Sequence, residues 1–233
     1  MPMFDHWGLA RKFTILGLLA LVMVALPTGL MIRQSQVDIS ASRQEALGMA
    51  PVVGLQKVLQ LTQQHRGVAA GMLGGNEVLA AKRPAVRDGM LQAVQALDGQ
   101  LAAAQAGAAT LSAWAAHKKT LAAIDQAVTE RQLKPAESSA RHTALIACLL
   151  GLNNELLDEY GLSLDPQADT YSMIMASLVH APAMTERLGQ MRALGTGFLA
   201  TRTLPPEGRM ALAGLRGNAM DLFAETTRNL DKA

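Results

Sequence analysis

Aromatic side chains are scarce in this chain: four Phe, two Trp and two Tyr in 233 residues. A core built on stacked rings is therefore excluded, whereas long helices sealed by Leu, Met and Ala need few rings. Runs of β-branched and aromatic residues alternating at period two are also missing, which argues against strands as the main element. The one cysteine, Cys148, excludes an internal disulfide framework and a cysteine metal cluster. Its setting predicts a small, buried, apolar side chain on a helix.

Charge of one sign is lacking too. Of 21 Lys and Arg, Arg11 and Lys12 precede the first apolar run, as does Asp5 among 19 Asp and Glu, so the remainder is almost neutral. No basic run with interleaved aromatics appears, and no nucleic-acid partner is expected. Catalytic signatures are equally absent. His65, His117, His142 and His180 lack metal-ligand spacing, no glycine loop has a phosphate-binding pattern, and no nucleophile elbow occurs. The expectation is a protein that is not an enzyme and uses neither cofactor nor metal. Phosphorylation of His142 is conceivable, but nothing around it is like a kinase acceptor helix.

What is present begins with residues 13–32, FTILGLLALVMVALPTGLMI, which hold no ionisable side chain. About 20 apolar residues are needed to cross a bilayer core. Arg11 and Lys12 directly before the run, with Trp7 placed for an interfacial ring, favour a cytoplasmic N-terminus over residues 1–12. The alternative, a cleaved signal peptide with its core at 13–26, has no small-x-small site, and the apolar run resumes at Gly29–Ile32. The expected location is the inner membrane of a bacterium, with one pass in this stretch and residues 33–233 in the periplasm.

Beyond the run, apolar residues at spacings of three and four predict helices at about 34–73, 77–106, 110–131, 135–161, 170–202 and 206–233. A soft break is expected near Pro51, and Gly74-Gly75-Asn76 forms a helix stop and turn. Asp169 is the expected N-cap of the helix after Asp165-Pro166. In that helix Ile174, Leu178, Ala181, Thr185, Leu188, Met191, Gly195 and Phe198 form the inward seam. The fold class is all-α: a transmembrane helix followed by an elongated antiparallel bundle of four to six long helices. If each break reverses direction, the last residues return to the membrane side. A fragment that stops before a second spanning helix is expected.

One feature disturbs the pattern. In QLTQQHRGVAAGMLGGN (60–76), Arg66 shares a helical face with Leu59, Ala69 and Leu73, and His65 shares the neighbouring row with Val58, Leu61, Val68 and Met72. Burying an unpaired charge costs several kcal/mol or more, so Arg66 needs a partner. Two readings stand: a polar layer that binds a small anion through bidentate hydrogen bonds, or an ion pair with an acid on a facing helix, with Glu155, Asp158 and Glu159 as candidates. Asp169 and Tyr171 serve as hinge and cap residues, or lie beside the same pocket. Glu186, Arg187 and Arg192 are expected as solvated edge charges. The methionines at 173, 175, 184 and 191 are expected to fill the core.

The stretches EALGMAPVVGLQKVLQLTQQHRG (45–67), LSLDPQADTYSMIMA (162–176) and MTERLGQMRALGTG (184–197) together resemble the N-terminal sensing part of bacterial methyl-accepting chemotaxis proteins. The resemblance implies a homodimeric transmembrane chemoreceptor in the lipid bilayer. It implies a small-molecule ligand or a periplasmic binding protein on the outside, and an output to a chemotaxis kinase and coupling protein through a cytoplasmic part beyond this sequence. Similar sensor halves precede histidine kinases and diguanylate cyclases. Nitrate/nitrite-sensing domains likewise use helical bundles with an Arg near the ligand. The ligand-binding residues expected from the chain's own pattern are His65, Arg66, Asp169 and Tyr171. A membrane-anchored helical adaptor without signalling output is the remaining alternative.

Overall fold

A computed structural model describes residues 8–233, without the side chains of 200 and 201. The expected interfacial Trp7 and most of the segment 1–12 lie outside the described residues. Among the described residues all regular structure is helical, in the order α1 (Leu9–Leu73), α2 (Glu77–Ala103), α3 (Ala108–Thr129), α4 (Pro135–Glu159), a 3-10 turn (Leu162–Leu164), α5 (Ala168–Ile174), a π-helical segment (Met175–His180), α6 (Ala181–Thr201) and α7 (Pro206–Leu230). The all-α expectation holds, and most helix boundaries fall within a few residues of those expected.

The chain divides into two units, Met1–Gln44 and Glu45–Ala233. In the first, α1 passes through the apolar run without interruption, and its most apolar window has no residue buried inside the structure. By length and composition α1 is the one helix among the described residues suited to crossing a membrane. The helix also continues through Pro51, where a soft break was expected.

In the second unit, residue pairs fix the direction of each helix. Gly54 approaches Leu97 and Gln100, and Gly71 approaches Leu79, so α2 runs antiparallel to α1. A Cβ at Gly48 would overlap the Tyr160 side chain, while His65 meets His142, so α4 is also antiparallel to α1. Asp98 pairs with Trp114 and Arg83 with Asp125, which sets α3 antiparallel to α2. Gln56 reaches Leu178 and Gln63 reaches Glu186, so the α5–α6 stretch runs parallel to α1. α7 returns along α6, with Phe198 against Gly208 beside the turn. With α5, the π-helical segment and α6 taken as one continuous stretch, each stretch reverses the one before it, as the breaks suggested.

The turn signals act as their chemistry requires. Gly75 takes φ 85°, Asn76 N–H closes onto the Gly71 carbonyl at 2.9 Å, and Asn76 Oδ1 caps α2 by accepting from Leu79 N–H. The core is aliphatic: Leu55, Leu97, Leu145, Leu149, Leu152 and Leu156 are almost fully buried. Three expectations need correction. Cys148 is exposed on α4. α5 begins at Ala168 with Gln167 as N-cap, so Asp169 lies inside the first turn. Met173 is 52% exposed and does not fill the core.

The π-helical segment has a local cause. Pro182 has no N–H, and in α geometry its acceptor would be the carbonyl of Leu178, four residues back. That carbonyl is instead satisfied by Asn153 Nδ2 at 2.8 Å and Gln56 Nε2 at 3.3 Å, from two neighbouring helices. Gln56 Nε2 also donates to Asn153 Oδ1 at 2.8 Å. A π turn holds one residue more than an α turn, and each residue turns the helix by about 100°. The seam extrapolated from Ile174 and Leu178 therefore slips out of phase beyond the segment. Thr185 is exposed, Leu188 is 48% exposed, and Glu186 takes the buried position.

Candidate functional site

Two polar clusters sit side by side in the second unit, one around each residue of the His65-Arg66 pair. Both side chains are buried, at 0% and 2% exposure. α1 aims them there because the flanking residues on their rows, Val58, Leu59, Val68 and Ala69, belong to the buried face.

Arg66 forms a two-pronged ion pair with Glu186: Nη1 to Oε1 at 2.6 Å and Nη2 to Oε2 at 3.2 Å. Nη1 also donates to Thr143 Oγ1 at 2.9 Å. The same carboxylate accepts from Gln63 Nε2 at 3.0 Å and Gln190 Nε2 at 2.7 Å. Four donors thus converge on Glu186, which is 3% exposed. Gly189 leaves the space the guanidinium needs, since a Cβ there would lie 2.7 Å from Arg66 Nη2. Glu186 was expected as a solvated edge charge and is instead the partner. Of the acids considered for that role, Glu155 is exposed. Glu159 accepts from the N–H of Gly107, the N-cap of α3, and Asp158 holds Ser163.

The second cluster forms around His65. Its Nδ1 lies 2.9 Å from His142 Nε2, and His142 Nδ1 donates to the Ser138 carbonyl at 2.7 Å. A carbonyl only accepts, so the His142 proton sits on Nδ1 and its Nε2 accepts from His65. His65 Nε2 faces Asp125 Oδ1 at 3.4 Å, without a well-directed hydrogen bond. Asp125 is held by Arg83 Nη2 at 2.5 Å and Arg87 Nε at 2.7 Å. Burial pushes the Asp125 carboxyl up, but His65, Arg87 and Arg83 outweigh it and bring its pKa to about 2. Burial, aided by the nearby charges of His65, Arg66 and Arg83, lowers His142 to about 4 against the opposing hydrogen bond to Ser138.

Beside the Arg66 cluster a cleft of about 290 Å³ lies between α1 and α6, lined by Gln56, Gln60, Gln63, Gln64, Thr185 and Arg192 among others. Its amides and guanidinium are hydrogen-bond donors suited to an anion. Gln63 belongs to both cleft and cluster, so the two adjoin.

Of the site residues expected from the sequence, the structure brings His65 and Arg66 into this layer. Asp169 and Tyr171 are exposed on α5, and the contacts described for them are local: Asp169 Oδ1 accepts from Thr170 N–H, and Tyr171 N–H donates to the Gln167 carbonyl. Sequence reasoning missed Arg83, Asp125, His142 and Glu186. For three of them a signal existed. Arg83 precedes Met90 and Leu97 at intervals of seven, Asp125 sits four after Leu121, and His142 sits seven before Leu149. Each is a polar residue on a buried stripe, like Arg66 itself.

This architecture defines a class: an all-α bundle carrying a buried ion-paired layer beside a donor-lined cleft. The family model described as nitrate and nitrite sensing matches residues 57–233. The chain belongs to this nitrate- and nitrite-sensing family, whose members are sensor domains of signalling proteins. Among solved structures, the fold is similar to that of the NasR transcription antiterminator, with TM-score 0.73 and 20% identity over 86% of this chain. This chain corresponds to about half of that one, 55% of its length. No curated protein matches the chain.

Proposed function

We propose that this domain detects a planar oxyanion, nitrate or nitrite, at the layer built on Arg66. The observation that carries the reading is a buried guanidinium already arranged to grip two oxygens of one planar group, next to a cleft lined by amides and Arg192. The family match supports the choice of nitrate and nitrite among oxyanions. His65 belongs to the same layer and would register ligand arrival through its neighbour rather than by contact.

The finer reading is the sensing region of a homodimeric transmembrane chemoreceptor, with the bundle in the periplasm of a bacterium and the output passed to a chemotaxis kinase and coupling protein. Its support is the sequence resemblance of 45–67, 162–176 and 184–197, together with the apolar run after Arg11 and Lys12. α1 carries both Arg66 and that run, so the transmission step is assigned to α1. A shift of order 1–2 Å suffices in such switches.

The test is calorimetric titration of the chain in detergent micelles with sodium nitrate and sodium nitrite, alongside Arg66→Lys. Lysine keeps the charge but loses the two-pronged geometry. Saturable binding to the wild type, weakened at least several-fold by Arg66→Lys, is expected. Equal binding by the two proteins would remove Arg66 from the site, and no binding of either anion would overturn the oxyanion reading.

A further inference from the structure

We infer that Glu186 is a built-in competitor: its carboxylate occupies the oxyanion cradle in the unliganded state, and ligand binds by displacing it. The inference rests on the oxyanion reading above and adds a regulatory step to it.

The geometry is that of a bound ligand. A carboxylate is planar, singly charged and offers two oxygens from one atom, as nitrate and nitrite do. Each Glu186 oxygen receives one guanidinium nitrogen of Arg66 and one glutamine amide, Gln190 on Oε1 and Gln63 on Oε2. None of the four donors needs to move for an anion of the same shape to take the carboxylate's place. The donors come from two helices, Arg66 and Gln63 on α1 and Gln190 on α6, while the acceptor is carried by α6. Displacement would therefore replace the direct Arg66–Glu186 ion pair between α1 and α6 with a bridge through the ligand, held on α6 by the Gln190 amide alone.

The surroundings give the displaced group somewhere to go. The adjoining cleft is lined by Thr185 and Arg192 from α6 and by Gln60 and Gln64 from α1. Eight residues before Glu186, the Leu178 carbonyl is pinned by Asn153 and Gln56. The α5–α6 stretch is thus held at its π-helical segment by backbone contacts that do not involve the carboxylate. Release of Glu186 would remove the charged tether of the part beyond that point and leave it joined to α1 here by the Gln190–ligand contact, which makes the exchange a switch rather than a local side-chain event.

Competition also sets the sensitivity. A tethered group acts at an effective concentration of roughly millimolar, so the solute must outcompete it and the response is shifted to higher solute concentration.

The experiment is titration of the full chain in detergent micelles with sodium nitrate and sodium nitrite, comparing wild type, Glu186→Asp and Glu186→Gln, with thermal unfolding in parallel. Aspartate withdraws the carboxylate by one methylene, and glutamine keeps the shape but not the charge. A competitor that makes charge-assisted hydrogen bonds predicts nitrate binding roughly tenfold or more tighter in Glu186→Gln, and an intermediate gain in Glu186→Asp. Nitrate should also raise the melting temperature of Glu186→Gln more than that of the wild type. If all three proteins bind nitrate equally, or the variants bind it more weakly, the competitor role is overturned while the oxyanion reading stands. If none binds nitrate or nitrite, the oxyanion reading itself falls. Should Glu186→Gln fail to fold, Glu186→Asp decides alone, and affinity no higher than wild type overturns the role.

Discussion

His65 on α1 and His142 on α4, both fully buried, share a ring-to-ring hydrogen bond of 2.9 Å. Because His142 gives its Nδ1 proton to the Ser138 carbonyl, the pair has a direction: protons point from His65 toward His142 and on to the backbone. Asp125 closes the other end, facing His65 Nε2. This chain of contacts ties α1, α3 and α4 together one residue away from the Arg66–Glu186 pair, which ties α1 to α6. The two clusters therefore share a helix and a depth in the bundle, and they govern two measurable properties.

Acid should weaken the fold in two stages. His142 binds its proton at about 4 in the folded chain but near 6.5 when unfolded. The unfolded state holds more protons between these values, so stability is full above about 6.5 and is lost as pH falls toward 4, on the order of 3 kcal/mol in all. Asp125, folded at about 2, adds stability above its ordinary value that is lost as pH falls through 2. Melting temperatures taken from neutral pH down to 3 should show the upper stage in the wild type and a flatter profile in His142→Gln. An unchanged profile in that variant would show that another group carries the upper stage.

Arg66→Ala should cost about 3–5 kcal/mol, since it leaves the Glu186 carboxylate buried without its cation. Replacing both partners, Arg66→Leu with Glu186→Leu, should cost less than Arg66→Ala alone, because neither charge is then stranded. Urea unfolding of the singles and the double measures this directly. Strictly additive losses would mean that the pair is solvated in solution.

The Leu178 carbonyl supplies a third test. Asn153→Ala removes its shorter donor and should destabilise by about 1–3 kcal/mol. Pro182→Ala restores a backbone N–H four residues on, so in the double variant part of that loss should be recovered as the segment closes toward α geometry. Amide exchange at residue 182 in the double variant would report the new hydrogen bond, and rapid exchange there would count against this account of the π segment.

Much of this was legible in the chain. Periodicity placed the helices, Gly74-Gly75-Asn76 placed the first reversal, and the position of Arg66 among Leu59, Ala69 and Leu73 marked it as inward. Each of these follows from local rules, the 3.6-residue repeat and the conformations open to glycine and asparagine, which act on residues near one another in sequence. Arg83, Asp125 and His142 carried the same kind of signal on their own helices.

What only the tertiary structure decided is which polar groups meet. Arg66 finds Glu186 across a sequence separation of 120 residues, and no helical period within α1 or α6 selects that acid over Glu155, Asp158 or Glu159. The choice depends on the phase of α6, and that phase is reset at Met175–His180, where Pro182 withholds an amide and side chains from α1 and α4 satisfy the stranded carbonyl. A periodic reading carried through that segment put Thr185 and Leu188 inside and Glu186 outside. The sequence determined that a charge would be buried and that it needed a partner; a single extra residue in one helical turn, settled by contacts between helices, decided which partner it found.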